Sequence, residues 1–353
     1  MKIEAVSAGV ERVELSRPYE IAFRTIDAVE MGIVEIAAEG GRVGRGCASP
    51  EAHVTGESIG DVRAVLSDLD WLVGRDVRHL RALIRELEAR APAAPAARAA
   101  IDVALFDLAG QAAELPLVEL LGRAHDALPT SVTIGIKSVS ETLEEAREYL
   151  GRGFWALKVK LGRSLEEDVE RLVRLREVVS PEVAIRVDPN QGYGPADVLA
   201  FARKTRDLDI EFLEQPMAAA DIAAARELPA EIRDALAADE SLLSPRDALE
   251  LLRPPRACGI FNIKLMKCGG VAPALRIADI AETAGISLMW GCMDESRISI
   301  AAALHAALAS PSTRYLDLDG HLDLARDVAA GGFVIEDGMM RPSGGAGLGL
   351  SPG

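Results

Sequence analysis

Basic charge and long apolar runs are both scarce in this sequence. Its 353 residues include 39 Lys and Arg against 55 Asp and Glu, a net charge of −16. Because like charges repel, we expect neither nucleic acid nor an anionic membrane surface as a partner. The longest mostly apolar stretch, residues 91–113, is interrupted by Arg98, Asp102 and Asp107. We therefore expect no membrane-spanning helix.

Several motifs that would place the chain in other classes are also absent. The four cysteines have no CxxC spacing, which favours reduced thiols in a cytoplasmic protein. The first 20 residues lack the apolar core of a signal peptide. There is no P-loop and no GxGxxG motif between a strand and a helix, which argues against a nucleotide-binding fold.

The pattern of the chain changes near residue 126. Residues 1–60 alternate like antiparallel strands, and residues 60–122 have apolar positions at helical spacing, including a Pro-led helical segment within 91–122. This order predicts an α+β domain over residues 1–125. We expect residues 126–324 to form a second domain and residues 325–353 to return and pack on the first.

In the second domain, short β-rich runs alternate with amphipathic helices. Such alternation predicts a parallel sheet, and eight runs favour a closed barrel of the TIM type over an open doubly wound sheet. The eight runs are SVTIGI, WALKVK, VAIRVD, IEFLE, LAAD, GIFNIK, ISLMWG and RYLDLD.

Charged residues end five consecutive runs at the same phase. They are Lys160, Asp188, Glu214, Asp239 and Lys264. One such Asp is often a helix cap and one such Lys is often a solvated rim residue, but neither reading explains five in a row. Because the C-terminal ends of barrel strands converge, we expect a ring of three carboxylates flanked by lysines.

Three adjacent carboxylates need a cation in order to ionise together. Oxygen ligands without histidine suit Mg²⁺ and argue against zinc. Lysines beside such a site are expected to have a lowered pKa, which would let them act as bases. Lys158 lies two residues before Lys160, so alternation along a strand directs both ammonium groups to one face.

The segments LKVK, VDPNQ, EFLEQP, ADES and NIKLMKCGG together resemble the enolase superfamily, in its muconate-lactonizing subgroup. The resemblance covers nearly the whole chain and implies an α/β fold: a (β/α)7β TIM-like barrel with an α+β N-terminal capping domain. It implies abstraction of a proton next to a carboxylate, with Mg²⁺ holding the growing charge.

The resemblance also assigns roles residue by residue. It makes Asp188, Glu214 and Asp239 the Mg²⁺ ligands, and Lys160 and Lys264 the acid/base pair on opposite faces of the substrate. Lys158 would help to stabilise the enolate. Two further residues would support the metal site by contacting its ligands rather than the metal, Asn190 and Glu240.

The end of the last strand favours one class of reaction within the superfamily. Asp317 and Asp319 lie two apart at its end and suit a substrate ammonium group. This Asp-x-Asp, with WGCMDES on the seventh strand, resembles the dipeptide epimerases of the superfamily, which invert the α-carbon of the C-terminal residue. The alternatives are an N-succinylamino-acid racemase, an o-succinylbenzoate synthase-like enzyme, or lactonisation or elimination. A non-catalytic ligand-binding barrel and a Schiff-base aldolase are further alternatives.

The preferred side chains of the substrate depend on three loops. Arg24 lies where this family has its specificity loop and would suit L-Ala-D/L-Glu. Glu51 in a second capping loop, and Met293, Asp294 and Glu295 after the seventh strand, are also placed to touch the substrate. Their three acidic groups favour cationic dipeptides, with Ala-Glu second. The sequence leaves open whether the protein forms a homo-oligomer.

Overall fold

A three-stranded antiparallel sheet begins the chain. The computed structural model describes residues 1–21 and 24–352, with side chains for residues 1–17 and 27–351. The alternating apolar pattern of the first 48 residues forms this sheet, in the order β1-β2-β3. Its strands are β1 Ile3–Ile21, β2 Arg24–Ala38 and β3 Arg42–Ala48.

Five helices follow this sheet, and two of them, Ile59–Leu66 and Pro95–Ala113, pack against its strands. The Pro-led segment divides into two helices, because Glu114 takes a left-handed conformation (φ 56°) ahead of Pro116. The helices are α1 Ala52–Thr55, α2 Ile59–Leu66, α3 Leu80–Arg90, α4 Pro95–Ala113 and α5 Leu117–Leu121.

Helix α4 lies directly on β3, and two glycines make this approach possible. A methyl group on Gly46 would lie 1.7 Å from the carbonyl oxygen of Ala100, and one on Gly44 would lie 2.2 Å from that of Ala104. Both carbonyls belong to the backbone of α4, so neither can move aside alone. The sheet and the long helix therefore pack backbone to backbone.

We expect Gly46→Ala to destabilise the protein by about 3 kcal/mol, since overpacking a tight contact costs roughly 1–3 kcal/mol and backbone atoms relax least. The measurement is urea unfolding followed by circular dichroism. Gly9→Ala is the matched control, because the added methyl on this β1 glycine has nothing within 4 Å. Equal midpoints for the two variants would contradict the packing argument.

All eight predicted runs form strands of one parallel sheet, ordered along the chain. An isolated parallel bridge between Thr130 and Leu316 joins its first and last strands, so the sheet is a near-closed barrel. The strands are β5 Val132–Ile134, β6 Ala156–Lys160, β7 Ala184–Asp188, β8 Ile210–Glu214, β9 Leu236–Ala238, β10 Ile260–Ile263, β11 Ser287–Gly291 and β12 Thr313–Asp317.

Helices separate every consecutive pair of barrel strands, whereas among the described residues no α-helix follows β12, which leads into a 3₁₀ turn, Gly320–Leu322. This confirms the (β/α)7β prediction. Among the described residues, no helix is long and apolar enough to cross a membrane. The barrel helices are α6 Val139–Gly151, α7 Leu165–Val178, α8 Pro195–Lys204, α9 Ile222–Glu227, α10 Ala230–Asp234, α11 Pro245–Leu251, α12 Leu265–Cys268, α13 Val271–Ala284 and α14 Arg297–Leu308.

The C-terminal segment contacts the helices of the first domain. Gly347 accepts a hydrogen bond from the backbone of Leu117 (2.7 Å) and donates one to Leu115 (2.9 Å), and Leu348 donates to Asp107 (2.8 Å). The domain limits at residues 125 and 324 stay a prediction. The remaining strands are β4 Leu128–Pro129, β13 Ala329–Gly331, β14 Phe333–Glu336, β15 Met339–Pro342 and β16 Leu350–Pro352.

Candidate active site

The five charged positions lie at the C-terminal ends of consecutive barrel strands. Lys160, Asp188 and Glu214 are the last residues of β6, β7 and β8, and Asp239 and Lys264 directly follow β9 and β10. Ion pairs join Lys160 to Asp188 and Lys264 to Asp239, and Lys158 lies between Asp188 and Glu214. The charged groups are therefore brought together as the sequence predicts.

Lys158 lies buried among the carboxylates of this ring. It is 2% exposed, and its Nζ lies 2.8 Å from Glu214, 2.9 Å from Asp317 and 3.2 Å from Asp188. Burial alone would lower the pKa of Lys158, but Asp317, Glu214 and Asp188 together raise it well above its usual value. The buried ammonium group is therefore held in its charged form.

Lys160 and Lys264 lie on opposite walls of the barrel, since β10 is the fourth strand after β6 in the eight-stranded sheet. Lys160 Nζ donates to Asp188 (2.7 Å) and Lys264 Nζ to Asp239 (2.9 Å). Burial would lower the pKa of Lys264, but Asp239 raises it overall. Carboxylates that contact both ammonium groups directly thus raise the pKa of Lys158 and Lys264, and the lowered pKa expected for lysines beside a bound Mg²⁺ stays a prediction.

The three carboxylates have different surroundings. Burial, and then the charge of Asp188, raise the pKa of Glu214 to about 8, whereas Lys264 and Lys267 overcome burial and hold the pKa of Asp239 below its usual value. At Asp188 burial would raise the pKa, but Lys160 and Lys158 together lower it. Glu214 therefore depends most on added positive charge in order to ionise.

Lys267 was missed by the sequence reasoning. It lies on α12, three residues after Lys264, and its buried Nζ donates to a carboxylate oxygen of Asp239, to the Asp239 carbonyl (2.6 Å) and to the Asn262 carbonyl (3.0 Å). Lys267 is part of the NIKLMKCGG segment. It lies on a helix, however, and the alternation of side chains along a strand does not predict where a helical side chain points.

Two uncharged neighbours of the ring were missed as well. Asn262 lies two residues before Lys264 on β10 and donates to Glu214 (2.8 Å). Gln215 accepts hydrogen bonds from the backbone of Asp239 (2.9 Å) and from the hydroxyl of Ser241 (2.8 Å). Asn262 thus holds the Glu214 carboxylate, and Gln215 holds the backbone that carries Asp239.

The donor set suits a hard divalent cation. Glu240 Oε2 is buried with no hydrogen-bond partner among the described residues, and its Oε1 lies 3.5 Å from Asn190 Nδ2. Asn190 also donates its backbone N–H to Asp188 (2.9 Å). Among the described residues, no group of three Asp, Glu, His or Cys side chains is spaced to hold a metal ion as it stands. The reason is that lysine ammonium groups lie between the carboxylates.

Asp317 and Asp319 occupy different environments. Asp317 ends β12 and lies inside the barrel, whereas Asp319 lies past the strand at the start of the 3₁₀ turn. Asp319 therefore does not belong to the strand face on which the sequence placed it. Its Oδ2 accepts a hydrogen bond from the backbone of Thr133 (2.7 Å), and burial, followed by the charge of Asp317, raises its pKa to about 7.

The loop after β11 meets the capping loop of the first domain. Ser49 Oγ donates to the Asp294 carbonyl (2.5 Å), and Glu51 caps α1 through a bond from His53 (3.1 Å). Asp294 is half-buried at this contact. The structure thus brings the two predicted acidic loops together.

The other residues predicted to touch the substrate differ in their surroundings. Glu295 is buried and accepts a hydrogen bond from the backbone N–H of Met293 (2.8 Å), so it holds the loop in place. Burial raises the pKa of Glu295 to about 7. Met293 is half-buried against the apolar core. The side chain of Arg24 lies outside the described residues.

Two family models match the chain. The N-terminal domain of mandelate racemase / muconate lactonizing enzyme matches residues 3–122, and the enolase C-terminal domain-like model matches residues 141–352. Together they account for most of the sequence.

Similar proteins agree with these matches. An L-Lys-D/L-Arg epimerase of Methylococcus capsulatus is 61% identical over 99% of both chains, and one of Desulforapulum autotrophicum is 53% identical over 99% of both chains. The crystal structure of a dipeptide epimerase from Methylococcus capsulatus, complexed with Mg and the dipeptide L-Arg-D-Lys, superposes with a TM-score of 0.97 at 61% identity, covering 99% of each chain. The chain belongs to the mandelate racemase / muconate lactonizing enzyme family of the enolase superfamily.

Proposed function

We propose that this protein is a Mg²⁺-dependent epimerase that inverts the α-carbon of the C-terminal residue of cationic dipeptides. The observation that carries the proposal is the placement of Lys160 and Lys264 on opposite walls of the barrel, on either side of three carboxylates. Groups on both faces can remove a proton from one side and return it from the other.

The choice of a cationic dipeptide has two supports. Relatives that are 61% and 53% identical over nearly the whole chain are L-Lys-D/L-Arg epimerases. In this chain the Glu51 loop and the Asp294 loop meet through Ser49, which supports a role for their acidic residues beside the substrate. Carboxylates there would pair with a lysine or arginine side chain of the substrate.

In the proposed reaction one lysine, in its neutral form, takes the α-proton, and the other, as an ammonium group, delivers a proton to the opposite face. The substrate passes through an enediolate that carries additional negative charge. Lys158, held as a cation by three carboxylates, offsets part of that charge. Transfer of one proton in and one out leaves the dipeptide with the same atoms and the opposite configuration.

Asp188, Glu214 and Asp239 would hold the Mg²⁺, with Asn190 and Glu240 supporting them. The oxygen-only donors and the unpartnered Glu240 Oε2 fit this cation. When bound, Mg²⁺ supplies Lewis-acid stabilisation of the substrate carboxylate. The added charge would also favour ionisation of Glu214, whose pKa is otherwise raised.

The test is α-proton exchange in D₂O with Mg²⁺, followed by proton NMR and polarimetry. The panel contains L-Lys-L-Arg, L-Ala-L-Glu, L-Ala-L-Leu and N-succinyl-L-lysine. We expect kcat/KM for L-Lys-L-Arg to exceed that for the two other dipeptides by about 10- to 100-fold, which corresponds to one charge-assisted contact.

Each other result has a defined meaning. Preference for L-Ala-L-Glu would move the proposal to an Ala-Glu epimerase, and exchange on N-succinyl-lysine alone would favour the racemase alternative. Exchange that persists at an unchanged rate in excess EDTA would contradict the metal dependence and reopen a Schiff-base mechanism. No exchange on any member of the panel would contradict the proposed function.

A further inference from the structure

Helix α13 of the barrel receives its N-terminal cap from the first domain. Its own N-cap residue is Gly270, which has no side chain to accept a bond from the free N–H groups of the first turn. Asp102 of α4 takes that place, accepting from the backbone of Val271 (2.5 Å) and of Ala272 (3.4 Å). Because Asp102 is 0% exposed, water does not replace these bonds, and they join α4 to α13 in the interior of the protein.

The turn that leads into α13 fits closely against the same face of α4. Gly269 and Gly270 both have left-handed backbone conformations, with φ of 100° and 115°. A methyl group on Gly270 would lie 2.4 Å from Asp102 Oδ1, and one on Gly269 would lie 2.8 Å from Arg98 Nε. Arg98 and Asp102 are four residues apart on α4 and so lie on one face of it. There is therefore no room for a side chain between this turn and α4.

Helix α4 is a fixed support for this contact. Arg98 Nη1 donates to the carbonyls of Ala91 (2.9 Å) and Pro92 (2.7 Å), in the segment just before the helix. On another side, the backbone of α4 at Ala100 lies directly against Gly46 of β3. The position of α4 is thus set by its contacts within the first domain.

The turn is connected to Lys264 through the four residues of α12. Lys264 is the N-cap residue of this helix, and its carbonyl accepts from the backbone of Lys267 (3.1 Å). At the other end, the N–H groups of Gly269 and Gly270 both donate to the Leu265 carbonyl (2.9 and 3.0 Å). Because α12 is one closed turn, a displacement of the two glycines is transmitted to the backbone of Lys264.

We propose that Asp102 is a positioning residue for Lys264. By capping α13 from the first domain, it fixes the turn and the short helix α12 that begins at this lysine. This inference rests on the proposed function and extends it. Lys160 ends β6 on the opposite wall of the barrel, so the first domain aligns one of the two acid/base lysines through Asp102 and not the other.

The experiment introduces Asp102→Ala into two backgrounds, Lys160→Met and Lys264→Met, and measures α-proton exchange in D₂O on L-Lys-L-Arg and L-Lys-D-Arg. In Lys160→Met, where exchange depends on Lys264, we expect kcat for exchange to fall about tenfold or more, because a misplacement of about 1 Å can cost about 100-fold. In Lys264→Met, where exchange depends on Lys160, kcat should stay within about threefold. KM should change by less than about threefold in both backgrounds.

Asp107→Ala is the matched control. Asp107 lies on the same helix, is 2% exposed, and also accepts two backbone N–H groups, from Leu348 (2.8 Å) and Arg45 (3.0 Å). Its removal should lower the melting temperature in the same way but should affect exchange in the two backgrounds equally. A merely structural contribution of Asp102 would give this same pattern.

Equal losses in the two backgrounds for Asp102→Ala, or an unequal loss of the same size for Asp107→Ala, would overturn the inference. So would a Lys160→Met protein that shows no exchange although the wild type is active, because Lys264 would then have no separate function to align. If circular dichroism shows that Asp102→Ala does not fold, Asp102→Asn, which keeps one accepting oxygen, carries the same prediction of unequal losses. Absence of exchange by the wild type would instead overturn the proposed function.

Discussion

Replacing either Lys160 or Lys264 by methionine is expected to lower epimerisation at least about 10³-fold and to leave α-proton exchange on only one of the two epimers. The reason is geometric, since the two lysines belong to opposite walls of the barrel. The remaining lysine still faces one side of the α-carbon. It can remove and return a proton there, but it cannot complete inversion.

The two variants should have opposite preferences. With pure L-Lys-L-Arg and L-Lys-D-Arg in D₂O, proton NMR would show exchange without inversion on one epimer for Lys160→Met and on the other epimer for Lys264→Met. Lys204→Met is the matched control, because this side chain is 45% exposed on α8 and pairs only loosely with Glu166, at 3.6 Å. The same epimer exchanging in both variants would contradict a mechanism with two bases.

Glu214→Gln is expected to weaken Mg²⁺ binding by about 100-fold or more and to reduce exchange below detection. Glutamine keeps the length of the side chain and an oxygen that can accept the bond from Asn262, which is 2.8 Å in the native protein. What it removes is the charge. Because Glu214 is fully buried among carboxylates and its pKa is raised to about 8, that charge needs a cation nearby.

Mg²⁺ binding should be measured directly by calorimetry, with Mn²⁺ electron paramagnetic resonance as a second readout, so that a loss of activity is not the only observation. Glu166→Gln on α7 is the control, since this carboxylate is 76% exposed. Circular dichroism should show that both variants are folded. Unchanged Mg²⁺ affinity in Glu214→Gln would remove this residue from the proposed ligand set.

Much of the active-site ring could be read from the sequence because its determinants are local. Alternation within WALKVK places Lys158 and Lys160 on one face, and one βα unit separates each charged strand end from the next. Parallel strands then bring those ends to one rim. The acidic composition argued against nucleic acid and anionic membranes as partners, and the missing P-loop and GxGxxG motifs argued against a nucleotide-binding fold. Neither argument required knowledge of contacts in the folded protein.

The contacts across the barrel were decided only by the tertiary structure. Lys267 reaches Asp239 because the short helix α12 folds back over the rim, and Ser131 reaches Asp317 because the first strand closes on the last. Partners 28 and 186 residues apart in the chain carry no local pattern. The direction of the Lys158 and Lys264 pKa shifts likewise depended on which carboxylates surround each ammonium group, because only their combined attraction exceeds the cost of burial.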